Sequence, residues 1–161
     1  MKTKKLVLLS ATVAVAMVLS FVESRIPPIV PLPGVKMGLA NIAVIFALYR
    51  FGVKEACLVS LVRVTLVSLL FGNPASLLYS LCGAVLALTA MSLLKHFRLF
   101  SAVGVSVAGG VSHNLGQILI ACIVTETDLF SLYFPFLLLS GTLSGVAVGV
   151  VGALLVKRIH V

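Results

Sequence analysis

A histidine, two side-chain amides and a serine lie close together in an otherwise apolar stretch, SHNLGQ at residues 112–117. Imidazole and amide groups can hydrogen-bond a polar ligand, and a histidine can also transfer a proton or bind a metal. At about 100° per residue on a helix, His113, Gln117 and Asn114 fall within one arc of about 100°. We therefore expect this face of the helix to line a cavity rather than to contact lipid.

Arg63 is a second polar residue within an apolar run, SLVRVTLVSLL. It lies about 13 Å along a helix from Lys54, which is deeper than a charged residue at a helix end. An intramembrane arginine is costly and normally faces a partner or a water-filled cavity. The acidic residues all lie at or near the ends of the apolar runs: Glu23, Glu55, Glu126 and Asp128. We therefore expect the counter-ion of Arg63 to arrive with an anionic ligand.

Three further polar residues fall at or near the same end of the predicted helices: Lys36, Asn41 and Tyr79. The full set of predicted substrate-binding residues is Lys36, Asn41, Arg63, Tyr79, His113, Asn114 and Gln117. Purely structural roles for these residues also remain open. An asparagine can link two helices, a histidine can lie in the core and a tyrosine can anchor a helix at the membrane interface. The expected ligand carries a phosphate or carboxylate and an apolar portion. No second histidine or acid is spaced to form a metal site with His113, and no set of catalytic residues is recognisable.

The composition indicates an all-α integral membrane protein. Of the 161 residues, 61% are hydrophobic and 10% are charged, against about a quarter charged in a soluble domain. The net charge of +8 comes from short basic clusters between apolar runs, which is typical of topology signals and not of a nucleic-acid-binding surface. The three cysteines form no CxxC pair and are expected to be structural thiols.

Six apolar runs predict six transmembrane helices in one domain covering residues 1–161: about 6–22, 38–51, 56–72, 75–94, 101–124 and 131–156. The second run is short for a bilayer core of about 30 Å, so it either begins inside protein or extends into the preceding loop. The first run could also be a cleaved signal peptide, which its length disfavours. Nine basic residues fall on one side of the predicted topology and two on the other, so both termini are predicted to be cytoplasmic.

The outer loop at residues 23–37 contains four prolines and cannot continue a helix. It is either a rigid linker or a lid over a cavity at the outer face.

Small residues recur at every fourth position in two of the runs. In the last run they are Gly141, Gly145 and Gly149, and in the first run Ala16 and Ser20 form a weaker pattern. This spacing predicts faces on which another helix packs closely. The pattern does not show whether that helix belongs to the same chain.

Three segments, PGVKMGLANIAVIFALYRFG, NPASLLYSLCGAVLAL and GGVSHNLGQILIA, resemble a bacterial membrane family over about residues 20–125. It is described both as the Gx transporter family and as heptaprenyl diphosphate synthase component I, and its members resemble the S components of energy-coupling-factor transporters. The resemblance implies a six-helix bundle in the bacterial cytoplasmic membrane that binds one small molecule near the outer face. It also implies a membrane coupling subunit and two ATPases as partners. The motif residues in this chain are Lys36, Gly38, Asn41, Asn73, Pro74, Ser76, His113, Asn114 and Gln117.

The resemblance also implies alternative roles. S components typically carry an Ala-xxx-Ala face on the first helix for docking, and the first run lacks such a pair. Prenyl synthases bind magnesium through aspartate-rich clusters, whereas this chain has one aspartate, Asp128, and no ATPase motif. We therefore expect a non-enzymatic subunit without a cofactor. Its partner could instead be a soluble prenyl synthase of polyprenyl diphosphate or quinone synthesis, or a flavin-based extracellular electron-transfer apparatus.

Overall fold

The computed structural model describes residues 2–26, 38–98 and 100–159, and this part of the chain is helical without any strand. The helices are α1 (Lys2–Ser24), α2 (Asn41–Arg50), α3 (Val53–Phe71), α4 (Pro74–Phe97), α5 (Ala102–Thr125) and α6 (Phe130–Arg158). Each lies within a few residues of a predicted apolar run. The predicted all-α fold with six helices is confirmed.

Four helices are long and apolar enough to cross a bilayer: Thr3–Ser24, Pro74–Phe97, Ala102–Thr125 and Tyr133–Arg158. The helix α3 has 19 residues but carries three charged side chains, Lys54, Glu55 and Arg63. The helix α2 has only 10 residues and is therefore about 15 Å long, roughly half the thickness of the hydrocarbon core. The chain is a multi-pass membrane protein with four clear spans. The other two helices are less clear spans, because α2 is short and α3 carries charged side chains.

The short helix α2 lies inside the bundle. Six consecutive residues from Ala43 to Leu48 are buried, and a helix that is apolar on all sides needs protein or lipid around its whole circumference. It packs against α1, α3 and α6. At its carboxyl end, Lys95 of α4 donates a hydrogen bond to the Leu48 carbonyl and lies over the Tyr49 ring. The second apolar run therefore begins inside protein.

The glycines of α6 lie directly against α5. A Cβ atom at Gly145 would come within 2.5 Å of the Val107 Cα, and one at Gly149 within 2.8 Å of the Val103 Cα. A Cβ atom at Gly110 would likewise come within 2.5 Å of the Gly141 carbonyl oxygen. The helix that packs on this glycine face thus belongs to the same chain.

The small face of α1 is also buried within the bundle. Ala16 is fully buried, and Thr12 and Ser20 are nearly so, while α1 packs against α2 and α3. By contrast, Ser10 and Ala14 on the neighbouring stripe are exposed.

The NPAS motif caps α4. The Asn73 side chain accepts a hydrogen bond from the Ser76 amide at 2.7 Å, and the Ser76 hydroxyl accepts one from the Asn73 amide at 3.0 Å. Pro74 follows as the first helical residue, where its missing N–H costs nothing. This motif therefore has a local structural role.

Candidate functional site

A small polar cavity lies beyond the amino end of α2, where side chains of five helices meet. Its volume is about 40 Å³, enough for roughly three water molecules. The polar residues around it are Ser20, Glu23, Asn41, Arg63, Ser68, Ser80, His113 and Gln117. Because α2 is only about half as long as the bilayer core is thick, the half of the bundle centre beyond its amino end is left to these polar groups.

Arg63 is the cation of this cavity. Its side chain is 9% exposed, and its Nε makes no hydrogen bond within the described part of the chain. A buried donor without a partner costs about 1–3 kcal/mol, and more when the group is charged. The buried Nε of Arg63 therefore costs the protein stability and keeps at the cavity a hydrogen-bond donor that no described residue uses.

Glu23 lines the same cavity and attracts Arg63 electrostatically. It is 7% exposed, and its carboxylate accepts a hydrogen bond from the backbone amide of Gly38. The expectation that no acidic residue lies within a span to serve Arg63 is therefore wrong. The predicted first span ended at residue 22, whereas α1 continues to Ser24 and carries the carboxylate into the bundle.

Three of the other predicted site residues line the cavity: Asn41, His113 and Gln117. Arg63 joins them, so four of the seven come together. The ring of His113 lies against Gly83 of α4, where a Cβ atom would be 2.9 Å from its Cε1. Any side chain at position 83 would thus displace the imidazole.

The structure places Asn114 elsewhere. Its Nδ2 donates a hydrogen bond of 2.8 Å to the Leu137 carbonyl of α6, and it lines a separate, mostly apolar recess with Leu137. Tyr79 is buried, but its neighbour Ser80 reaches the cavity in its place. Lys36 and most of the proline-rich loop lie outside the described residues.

Sequence reasoning missed Glu23 and three hydroxyl groups, those of Ser20, Ser68 and Ser80. One signal was available for part of this set. Ser20 and Glu23 are three residues apart and therefore share one face of a helix. Ser68 and Ser80 have no comparable pattern, since isolated serines are common in membrane helices.

The site combines a guanidinium, a carboxylate, an imidazole, two amides and several hydroxyls. These groups can bind a polar ligand through charge and hydrogen bonds. Within the described ranges, no group of three or more His, Cys, Asp or Glu residues could hold a metal ion.

The fold and the cavity define a multi-pass helical membrane protein with a buried polar site. The sequence profile of the heptaprenyl diphosphate synthase component I family matches residues 12–155. The chain belongs to this family, and the match extends over the whole cavity. Comparisons with curated proteins and with solved structures give no match.

Proposed function

We propose that this chain is the substrate-binding subunit of a membrane transport system, and that its ligand is a small molecule with an anionic group. The ligand binds in the polar cavity, which lies toward the outer face in the predicted topology. Its phosphate or carboxylate contacts Arg63, and its remaining polar atoms hydrogen-bond Asn41, His113 and Gln117. The chain carries no ATPase motif, so a partner protein or an ion gradient supplies the energy.

The observation that carries this proposal is the buried Nε of Arg63, which makes no hydrogen bond within the described residues. A guanidinium suits carboxylate and phosphate groups because it offers several donors in a fixed plane. The amino end of α2 lies at the same cavity through Asn41, and a helix amino end carries about half a positive charge. Both features favour a bound anion.

In this proposal Glu23 is the counter-ion that the protein itself supplies to Arg63 when no ligand is bound. A ligand anion that approaches Arg63 replaces part of this attraction and is repelled by the Glu23 carboxylate. The same carboxylate can accept a hydrogen bond from a donor group on the ligand. The preferred ligand therefore carries both an anionic group and a hydrogen-bond donor.

The size of the cavity sets a further condition. Its volume of about 40 Å³ is far below the 300–1,000 Å³ of ordinary small-molecule sites. Binding a metabolite therefore requires the cavity to enlarge. A lid formed by the proline-rich loop would provide this change, and that role stays a prediction because residues 27–37 lie outside the described part of the chain.

The test is to identify the small molecules retained after extraction in mild detergent, by mass spectrometry. The informative variant is Glu23→Gln/Arg63→Gln, because replacing both charges avoids leaving one buried ion unpaired. The matched control is Lys5→Gln/Glu55→Gln, which removes the exposed ion pair between α1 and α3. We expect the wild type and the control to retain the same anionic molecule and the cavity variant to lose it. Equal retention by the cavity variant would contradict the proposal.

A second candidate function is favoured by the family match alone. The family is named as one component of a synthase, so the chain could serve as a non-catalytic membrane partner of a soluble prenyl synthase. This alternative predicts that the chain co-purifies with such an enzyme and that its deletion changes the product length. Finding neither effect would reject it.

A further inference from the structure

An apolar groove separates α3 from α4 at the end of the bundle opposite the polar cavity. Its volume is about 500 Å³. The side chains that line it include Val53, Leu61, Val85 and Leu93, all of which are also exposed on the protein surface. The groove therefore opens sideways, toward the surrounding lipid.

The groove has the depth of one leaflet. Along α3 it extends from Val53 to Val64, which corresponds to about 17 Å of helix. Half of a bilayer hydrocarbon core is about 15 Å. In the predicted topology, the start of α3 and the end of α4 are cytoplasmic, so the groove matches the inner leaflet.

Its volume suits a flexible chain better than a helix. A helix of about 17 Å length and 10–12 Å diameter fills more than about 1,300 Å³, over twice the volume of the groove. A whole helix therefore does not fit inside the groove. A hydrocarbon chain of one lipid can enter it.

Basic residues lie close in sequence to the predicted cytoplasmic end of the groove. Arg50, Lys54 and Arg98 lie within about two helical turns of its last lining residues, and none forms an ion pair with a carboxylate of the described residues. The nearest acid, Glu55, is already paired with Lys5. Basic pockets between helices on the cytoplasmic side favour anionic lipid headgroups.

We propose that the α3–α4 groove binds an anionic glycerophospholipid of the cytoplasmic leaflet. One acyl chain fills the groove, and the headgroup phosphate contacts Arg50, Lys54 and Arg98. This site is separate from the polar cavity, and its occupancy does not depend on the function proposed above.

The absence of tryptophan from the sequence permits a direct test. Leu61→Trp introduces a single fluorescent reporter into the groove. Val150→Trp is the matched control, because Val150 is exposed on α6 and lies eight residues from the cytoplasmic end of its helix, as Leu61 does from the start of α3. Quenching is measured in vesicles that contain brominated phosphatidylglycerol or brominated phosphatidylcholine. Both variants are first checked for wild-type elution on size exclusion.

Each basic residue near an anionic lipid contributes about fivefold in affinity. We therefore expect Leu61→Trp to show at least about a fivefold preference for the anionic lipid. Val150→Trp, which lies outside the groove, should show a clearly smaller preference. Adding Lys54→Gln/Arg98→Gln to the groove reporter should lower its preference by about fivefold or more, with Arg50 left to contact the headgroup. Adding Lys157→Gln/Arg158→Gln to the groove reporter also removes two positive charges, but at the end of α6. This change should leave the lipid preference of the groove reporter unchanged.

Three results would overturn this assignment. The first is equal lipid preference at the two reporters, which would mean that the groove is ordinary lipid-facing surface. The second is a groove preference that does not fall when Lys54 and Arg98 are replaced. The third is a groove reporter that neither brominated lipid quenches. That result would mean that something else, such as a polyprenyl phosphate or a protein segment, occupies the groove.

Discussion

Arg63 of α3 and Glu23 of α1 face the same buried cavity, and each is more than nine-tenths shielded from solvent. The two opposite charges attract each other across this cavity, from the carboxyl end of α1 and the middle of α3. They also determine the electrostatic potential that a ligand meets, because either charge alone would leave the cavity strongly positive or strongly negative.

The first prediction concerns the stability of this pair. Glu23→Gln and Arg63→Gln should each destabilise the protein by about 3–5 kcal/mol, because each leaves a buried charge without its partner. The double variant should lose much less than the sum of the two. The measurement is a double-mutant cycle on the unfolding free energy in detergent. Additive losses would show that the two charges do not interact.

The second prediction concerns the α5–α6 contact. Gly145→Ala should destabilise the protein by about 1–3 kcal/mol, because the added methyl group meets the backbone of Val107 at 2.5 Å. This loss should appear although alanine favours a helix over glycine by about 1 kcal/mol. Thermal unfolding in detergent measures the effect. The control is Gly104→Ala, whose methyl group would make an ordinary 3.4 Å contact with Phe100 and should be tolerated.

The third prediction separates two polar residues of α5. Asn114→Leu removes the hydrogen bond to Leu137 and should cost about 0.6–1.7 kcal/mol of stability, with ligand retention unchanged. Gln117→Leu should lower ligand retention, because Gln117 lines the cavity. Paired measurements of unfolding and of bound small molecules test both. Loss of the ligand in Asn114→Leu with a normal unfolding temperature would contradict this division of roles.

The fourth prediction concerns pH at the start of α6. The Ser131 hydroxyl and amide donate to Asp128 at 2.6 and 3.2 Å and lower the pKa of that carboxyl. The stabilisation is therefore complete above the unfolded pKa of about 3.9 and is lost as the pH falls through the lower folded value. Wild type should unfold at a higher temperature than Asp128→Asn near neutral pH, and the difference should shrink below about pH 4. A difference that does not vary with pH would contradict this assignment.

The sequence predicted the helices well because apolar runs in a membrane chain are long and uninterrupted. It predicted the site less well, since the exact end of a helix decides whether a charge is buried. Ending the first span at residue 22 left Glu23 in a loop, and two more helical residues bring it into the cavity.

The polar arc of α5 shows a second limit. His113 and Gln117 are four residues apart and lie on one stripe, whereas Asn114 is about 100° around the helix. That angle is enough for Asn114 to face α6 while the other two face the cavity. Only the packing of the neighbouring helices could reveal this division, because all three residues have the same character in the sequence.

The most direct test of the binding site compares two single replacements on the affinity for the anion recovered from the wild-type protein. Arg63→Gln should weaken binding at least tenfold, because it removes the donor group for the anion. Glu23→Gln should strengthen binding, because it removes the competing carboxylate and retains an oxygen that can accept the Gly38 hydrogen bond. Isothermal titration measures both affinities, on purified variants that elute as the wild type does on size exclusion. Opposite changes are the predicted result, and unchanged affinity in Arg63→Gln would contradict the account.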